Sequence, residues 1–161
     1  MKEFFEVFNG NFLAYLGVAF AVIFSGIGSA KGVGLVGEAM SGVTVEDPGK
    51  FGQLLLLQAL PATQGIYGFV VGFMVMVTTG MLGGTVNLSM ATGAYIFASC
   101  CPIAFVGMVS GIHQGRVSAA GVNIVAKRPE EVSKAMVPAA MVETYAILAL
   151  LISLLLVLNI H

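Results

Sequence analysis

The stretch "PAAMVETYAILALLISLLLVLNI", residues 138–160, is apolar from Ala146 to Ile160 except for Ser153 and Asn159, and Glu143 is its only charged residue. About 20 mostly apolar residues suffice for a helix to cross a hydrocarbon layer. The segment meets that length and reads as a membrane span with a carboxylate inside it. An acidic group at mid-membrane costs about 2.5–3.5 kcal/mol on insertion scales. Glu143 is therefore a functional candidate by default. The plain alternative is a protonated glutamate that only hydrogen-bonds helices together.

The rest of the chain has the same character. Of its 161 residues, 58% are hydrophobic and 9% charged, with mean hydropathy +0.97. A soluble domain carries about 25% charged residues, so this chain lacks the polar shell to face water on all sides. A net charge of −1 gives no electrostatic footprint for nucleic acid. Cys100 and Cys101 are adjacent in an apolar run, which suits neither a disulfide framework nor a zinc cluster and reads as packing. The opening "MKEFFEVFNGNFLAYLG" sets Glu3 and Glu6 beside one lysine and runs on into a long apolar stretch, unlike a signal peptide.

Four stretches are long enough to span: about 11–40, 51–80, 87–125 and 133–159. The expected architecture is an all-α membrane protein. "SGVTVEDPGK", "MLGGTVNLS" and "NIVAKRPEEVSK" connect the spans. Six of the seven basic residues (Lys31, Lys50, Arg116, Lys127, Arg128 and Lys134) lie in or near the first and third connections, and Lys2 stands apart. By the positive-inside rule the 41–50 and 126–133 loops face the cytoplasm, with both termini and the middle turn outside.

The chain also repeats itself. "FSGIGSAKGVG" (24–34) echoes "VSGIHQGRVSA" (109–119), and after a four-residue slip "DPGK" (47–50) aligns with "RPEE" (128–131). The expected organisation is two tandem hairpins, 1–84 and 85–161, joined outside the membrane. The second alignment pairs Glu143 with Ala62, and the first pairs Gln114 with Ser29, so only the second hairpin keeps a carboxylate. Gly107, Gly111, Gly115 and Ala119 form a stripe at every fourth position, and Gly28 and Gly32 do the same in the first span. Such stripes permit close helix approach, here expected against copies of the same chain.

Other polar groups share the depth of Glu143, which lies twelve residues, or roughly 18 Å, beyond Glu131. Thr63 and Gln64 lie twelve and thirteen residues past Phe51, and Gln114 lies thirteen before Lys127. Leu60, Thr63, Gln64 and Tyr67 fall on one helical face. Pro61 cannot donate a backbone hydrogen bond, so it loosens the carbonyl ladder there and frees an oxygen for a ligand. A carboxylate, two amides, a hydroxyl and a loosened carbonyl form an all-oxygen set suited to a hard cation. One negative charge matches Na⁺ or H⁺, and a proton site needs fewer partners than these, which favours Na⁺. Taken singly, each polar residue also fits an interhelical hydrogen bond.

The motifs "FSGIGSAKGVG", "LPATQGIYGF", "SGIHQGR" and "MVETYAIL", in that order, resemble the rotor proteolipid (the K or c subunit) of V-type rotary ATPases, closest to the bacterial Na⁺-transporting kind. The resemblance spans nearly the whole chain. It implies a ring of about ten copies that turns in the membrane lipid, driven through a central stalk by a soluble ATPase head. It implies a stator subunit with an arginine, and no catalytic chemistry in this chain itself. It further implies Na⁺ held by Glu143, Gln114, Gln64, Thr63 and the Leu60 main-chain carbonyl, with Tyr67 holding the glutamate. His113, beside Gln114, departs from the small apolar residue usual there; it either tunes the site near pH ~6.5 or faces a neighbouring helix or solvent. A small multidrug exporter also has four helices and one membrane glutamate, but in the first helix rather than the fourth. A passive proteolipid pore leaves the converging oxygens without a role.

Overall fold

The computed structural model describes residues 8–84 and 86–160, so Lys2, Glu3, Glu6 and the expected hairpin boundary at Thr85 lie outside the described residues. Among the described residues, five α-helices are joined by short 3₁₀ turns: α1 (Gly10–Glu46), α2 (Phe51–Ala59), α3 (Thr63–Thr78), α4 (Met90–Lys127) and α5 (Val132–Leu158). They make four spans long and apolar enough to cross a membrane, with α2 and α3 sharing the second, Pro48–Thr78. The all-α, four-span architecture agrees with the sequence reading.

Three boundaries differ from it. α1 runs to Glu46 and takes in Ser41–Glu46, expected to be part of the first connection. The polar side chains there bond back into the helix: Ser41 Oγ donates to the Gly37 carbonyl at 2.7 Å and Thr44 Oγ1 to the Met40 carbonyl at 2.9 Å. α4 starts at Met90, three residues later than expected, because Ser89 caps it by accepting from the Thr92 N–H at 3.1 Å. The second span is not one helix: Leu60–Ala62 forms a 3₁₀ turn around Pro61, since proline removes a donor from the ladder.

The two long helices end alike, as tandem repeats should. Asp47 (φ −142°, ψ 88°) and Arg128 (φ −143°, ψ 80°) each leave the helical conformation, donate their N–H to the carbonyl four residues back, and precede a proline that opens a 3₁₀ turn. Lys50 Nζ donates to the Ala126 carbonyl at 2.7 Å, which ties both of these connections to one end of the bundle. At the other end Asn11 in α1 bonds to the middle turn, donating to the Val86 carbonyl and accepting from the Leu88 N–H.

α1 and α4 pack backbone to backbone. A Cβ on Gly28 would lie 2.6 Å from Met108 Cα, and one on Gly111 would lie 2.7 Å from the Gly28 carbonyl carbon. Gly115 and Gly32 approach just as closely. Real Cβ atoms do not tolerate such contacts, so these positions require glycine. The stripe therefore serves contact inside the chain, which corrects the expectation that it meets other copies. In α1, Gly26 and Gly34 point into open space. Two apolar clusters flank the middle of the bundle, one around Val71, Ile96 and Ile103 and the other around Val36, Leu57 and Val125. Cys100 is a free thiol buried in the first of them. The polar layer lies between the clusters.

Candidate cation-binding site

Glu143 lies eleven residues after the start of α5 and fifteen before its end. At 1.5 Å per residue it is near the middle of a roughly 30 Å hydrocarbon layer. The side chain is half-buried and both oxygens are engaged. Tyr67 donates its hydroxyl to Oε1 at 2.7 Å, and Gln114 donates its amide to Oε2 at 3.1 Å. These two bonds hold the carboxyl group between α3 and α4.

The network continues inward. Gln64 and Gln114 are both fully buried. Gln64 Nε2 donates to Gln114 Oε1 and to Ser110 Oγ, the latter at 3.3 Å. Ser110 in turn donates to the Val142 carbonyl at 3.1 Å, next to Glu143 on α5. One acceptor is left over: Gln64 Oε1 is buried and has no hydrogen-bond partner. A buried oxygen without a partner costs about 1–3 kcal/mol, so it calls for a ligand.

Of the expected set, the structure joins Glu143, Gln114, Gln64 and Tyr67 into one hydrogen-bonded chain across three helices. Thr63 lies beside Tyr67 and pairs with Leu60, whose carbonyl accepts from both the Thr63 N–H and Thr63 Oγ1, the latter at 3.1 Å. The Leu60 carbonyl that the resemblance implies as a ligand is thus shared by two donors of Thr63. The 3₁₀ turn that Pro61 imposes nevertheless directs Gln64 inward as the second residue of α3.

Two serines belong to the site and were not singled out from the sequence. Ser110 bridges Gln64 to α5. Ser29 Oγ accepts the Gly65 N–H at 2.7 Å, satisfying a donor in the first turn of α3 just past the proline break. The signal was present: Ser110 pairs with Ser25 in the repeat, and Ser29 holds the repeat position of Gln114. His113 is exposed and lines a groove of about 680 Å³ on the outer side of α4 and α5. Of the two readings of His113, the structure takes the outward-facing one.

These features define a multi-pass membrane protein built from tandem helical hairpins, with one half-buried carboxylate at mid-membrane. The family of ATP synthase C subunits matches residues 16–75 and again 97–156, once in each hairpin, and the chain belongs to that family. The second match begins and ends 81 residues after the first, the offset that pairs Ala62 with Glu143. Among relatives, V-type sodium ATPase subunit K of Enterococcus hirae is 51% identical over 160 residues, covering 99% of both chains. A-type ATP synthase subunit K of Methanocaldococcus jannaschii is 36% identical over 148 residues, covering 92% of this chain and 63% of that one.

Proposed function

We propose that this chain is an ion-translocating subunit of the membrane rotor ring of a V-type ATPase or ATP synthase, and that each copy carries one Na⁺. The family membership and the relative named a sodium ATPase subunit support this reading. The observation that carries the ion site is the buried, unpartnered Gln64 Oε1 beside the Gln114–Glu143 pair. Glu143 supplies the neutralising charge, and Gln64, Gln114, Thr63 and the Leu60 carbonyl supply neutral oxygens. For Thr63 and Leu60 to join, the Thr63 hydroxyl turns from the carbonyl to the ion. Tyr67 holds Glu143 in place. H⁺ is the second reading, because the carboxylate already has two hydrogen bonds without a metal.

The expense of a membrane carboxylate then has a mechanical use. With Na⁺ bound, Glu143 is neutral overall and passes lipid at little electrostatic cost. Empty and ionised, it is costly there. It releases its ion only where a stator subunit provides water and a compensating arginine, and this couples ion exchange to rotation. No covalent chemistry occurs in this chain. ATP hydrolysis belongs to a soluble head connected through a central stalk.

The ring holds about ten copies. The two hairpins span 1–84 and 85–161, with the proline-bearing connections at Asp47–Lys50 and Arg128–Glu131 facing the cytoplasm and both termini outside. The test is Glu143→Gln in the assembled ATPase. The expected result is loss of Na⁺ transport, together with loss of Na⁺ protection against a carboxyl-reactive carbodiimide. A variant that pumps at the normal rate sinks the assignment.

A further inference from the structure

Buried side-chain polar atoms without a hydrogen-bond partner are confined to the site and one side of it. Among the described residues they are Gln64 Oε1, Ser118 Oγ and Gln53 Oε1. Gln64 belongs to the Glu143 network. Ser118 is fully buried on α4, four residues past Gln114 and so one turn, about 6 Å, toward the Lys127 end. Gln53 is eleven residues before Gln64, about 16 Å toward the same end of the bundle, and three helical turns keep the two on one face. Pro61 adds to this row, since it has no N–H to give the Leu57 carbonyl four residues back. Leu57, Leu60, Ala119 and Val122 pack in one cluster, which sets α2 against α4 where these groups lie.

The buried hydroxyls toward the opposite end are paired. Ser99 donates to the Tyr95 carbonyl at 2.8 Å, and Ser153 accepts the Ile103 N–H at 3.3 Å. An unpartnered buried hydroxyl is costly, and bound water is its usual remedy in a protein interior. Water spaced one or two helical turns apart also gives a cation places to rest between the bundle end and the site.

We propose that water held at Ser118 forms an ion route inside the chain, along the α2–α4 seam from the Gln53 end to Glu143. The inference rests on the ion-site reading and adds the side from which the ion enters. That side is the end bearing the proline turns, cytoplasmic in the proposed orientation. Leu60 and Thr63 precede Gln64 on the same side, so an arriving ion meets their oxygens first and the carboxylate last. Beyond Glu143 no unpartnered buried side-chain atom continues the row among the described residues, so the route is one-sided. Ser118 is a positioning residue, which holds water for the moving ion and is not a ligand of the bound one. It therefore sets how fast Na⁺ exchanges and not how tightly it binds.

Exchange kinetics test this on the purified assembly, loaded with radioactive Na⁺ and chased with unlabelled Na⁺. Ser118→Ala should slow release about tenfold, the loss of one hydrogen bond, and slow uptake equally, so equilibrium affinity holds. Ser153→Ala, at a paired hydroxyl, releases at the normal rate. In a chain whose Cys100 and Cys101 are alanine, Ser118→Cys is treated with Ag⁺, a monovalent cation near Na⁺ in size. Silver should block its thiol against a maleimide added after denaturation, and leave Ser153→Cys free. The near-isosteric cysteine carries the test even where alanine disturbs packing. Normal release from Ser118→Ala overturns the inference, as when the hydroxyl bonds back to the Gln114 carbonyl of its own helix. So does a Ser118→Cys thiol that silver does not reach. Either result leaves the ion-site reading standing, whereas failure of the unaltered protein to bind Na⁺ overturns both.

Discussion

The two hairpins share one plan and divide the work. Each has a long small-residue helix that ends in a non-helical cap, a proline and a 3₁₀ turn. The first holds Ala62 where the second holds Glu143, yet it contributes Gln64 and Tyr67 to the site. The second supplies the carboxylate, Gln114 and Ser110. The repeats have thus diverged into complementary halves of one hydrogen-bonded site, the proposed ion site. The break that Pro61 makes belongs to the half without a charge, where it turns Gln64 inward.

Several substitutions break or sharpen this division, taken here from the largest effect to the smallest. Gly28→Leu forces a side chain into the Met108 backbone. We expect a loss near 3 kcal/mol or failure to assemble, read by thermal dissociation of the purified protein. Ala62→Glu restores a carboxylate to the first hairpin at an insertion cost of about 2.5–3.5 kcal/mol. It should lower the yield of membrane-inserted protein without adding a second Na⁺, because Ser29 stands where Gln114 would be needed. A doubled Na⁺ stoichiometry would show that the halves remain interchangeable.

Gln114→Leu removes the donor to Glu143 Oε2 and strands Gln64. Na⁺ affinity should fall roughly 10- to 100-fold, as expected for a charge-assisted bond, in equilibrium binding. Tyr67→Phe deletes one bond to Oε1 and should weaken Na⁺ about tenfold while leaving assembly intact. An unchanged affinity would confine Tyr67 to packing. Gly34→Ala, on the open face of α1, should change the stability of the detergent-solubilised chain by about 1 kcal/mol or less.

Much of this was legible in the residues. Hydropathy marked four spans, and residue counts from the charged connections placed Glu143, Gln114 and Gln64 at one depth, where they do meet. Depth follows from rise per residue, which is fixed. Which side chains touch depends on the rotation of each helix about its axis, and periodicity within one helix says little about that. Hence the sequence places Ser29 only as the repeat partner of Gln114 and leaves Ser110 out of the site, and it points the glycine stripe of α4 at other copies although α1 of its own chain covers it. The Leu60 carbonyl shows a different limit: in the 3₁₀ turn around Pro61 it is taken by both the N–H and the hydroxyl of Thr63, local bonds that residue counting along the helix does not reveal.

The most direct measurement is radioactive sodium binding to the purified protein across a range of pH. The account predicts saturable binding of one Na⁺ per chain, competed by protons and absent in Glu143→Gln. Saturable binding that survives Glu143→Gln would contradict it, as would no saturable binding at alkaline pH.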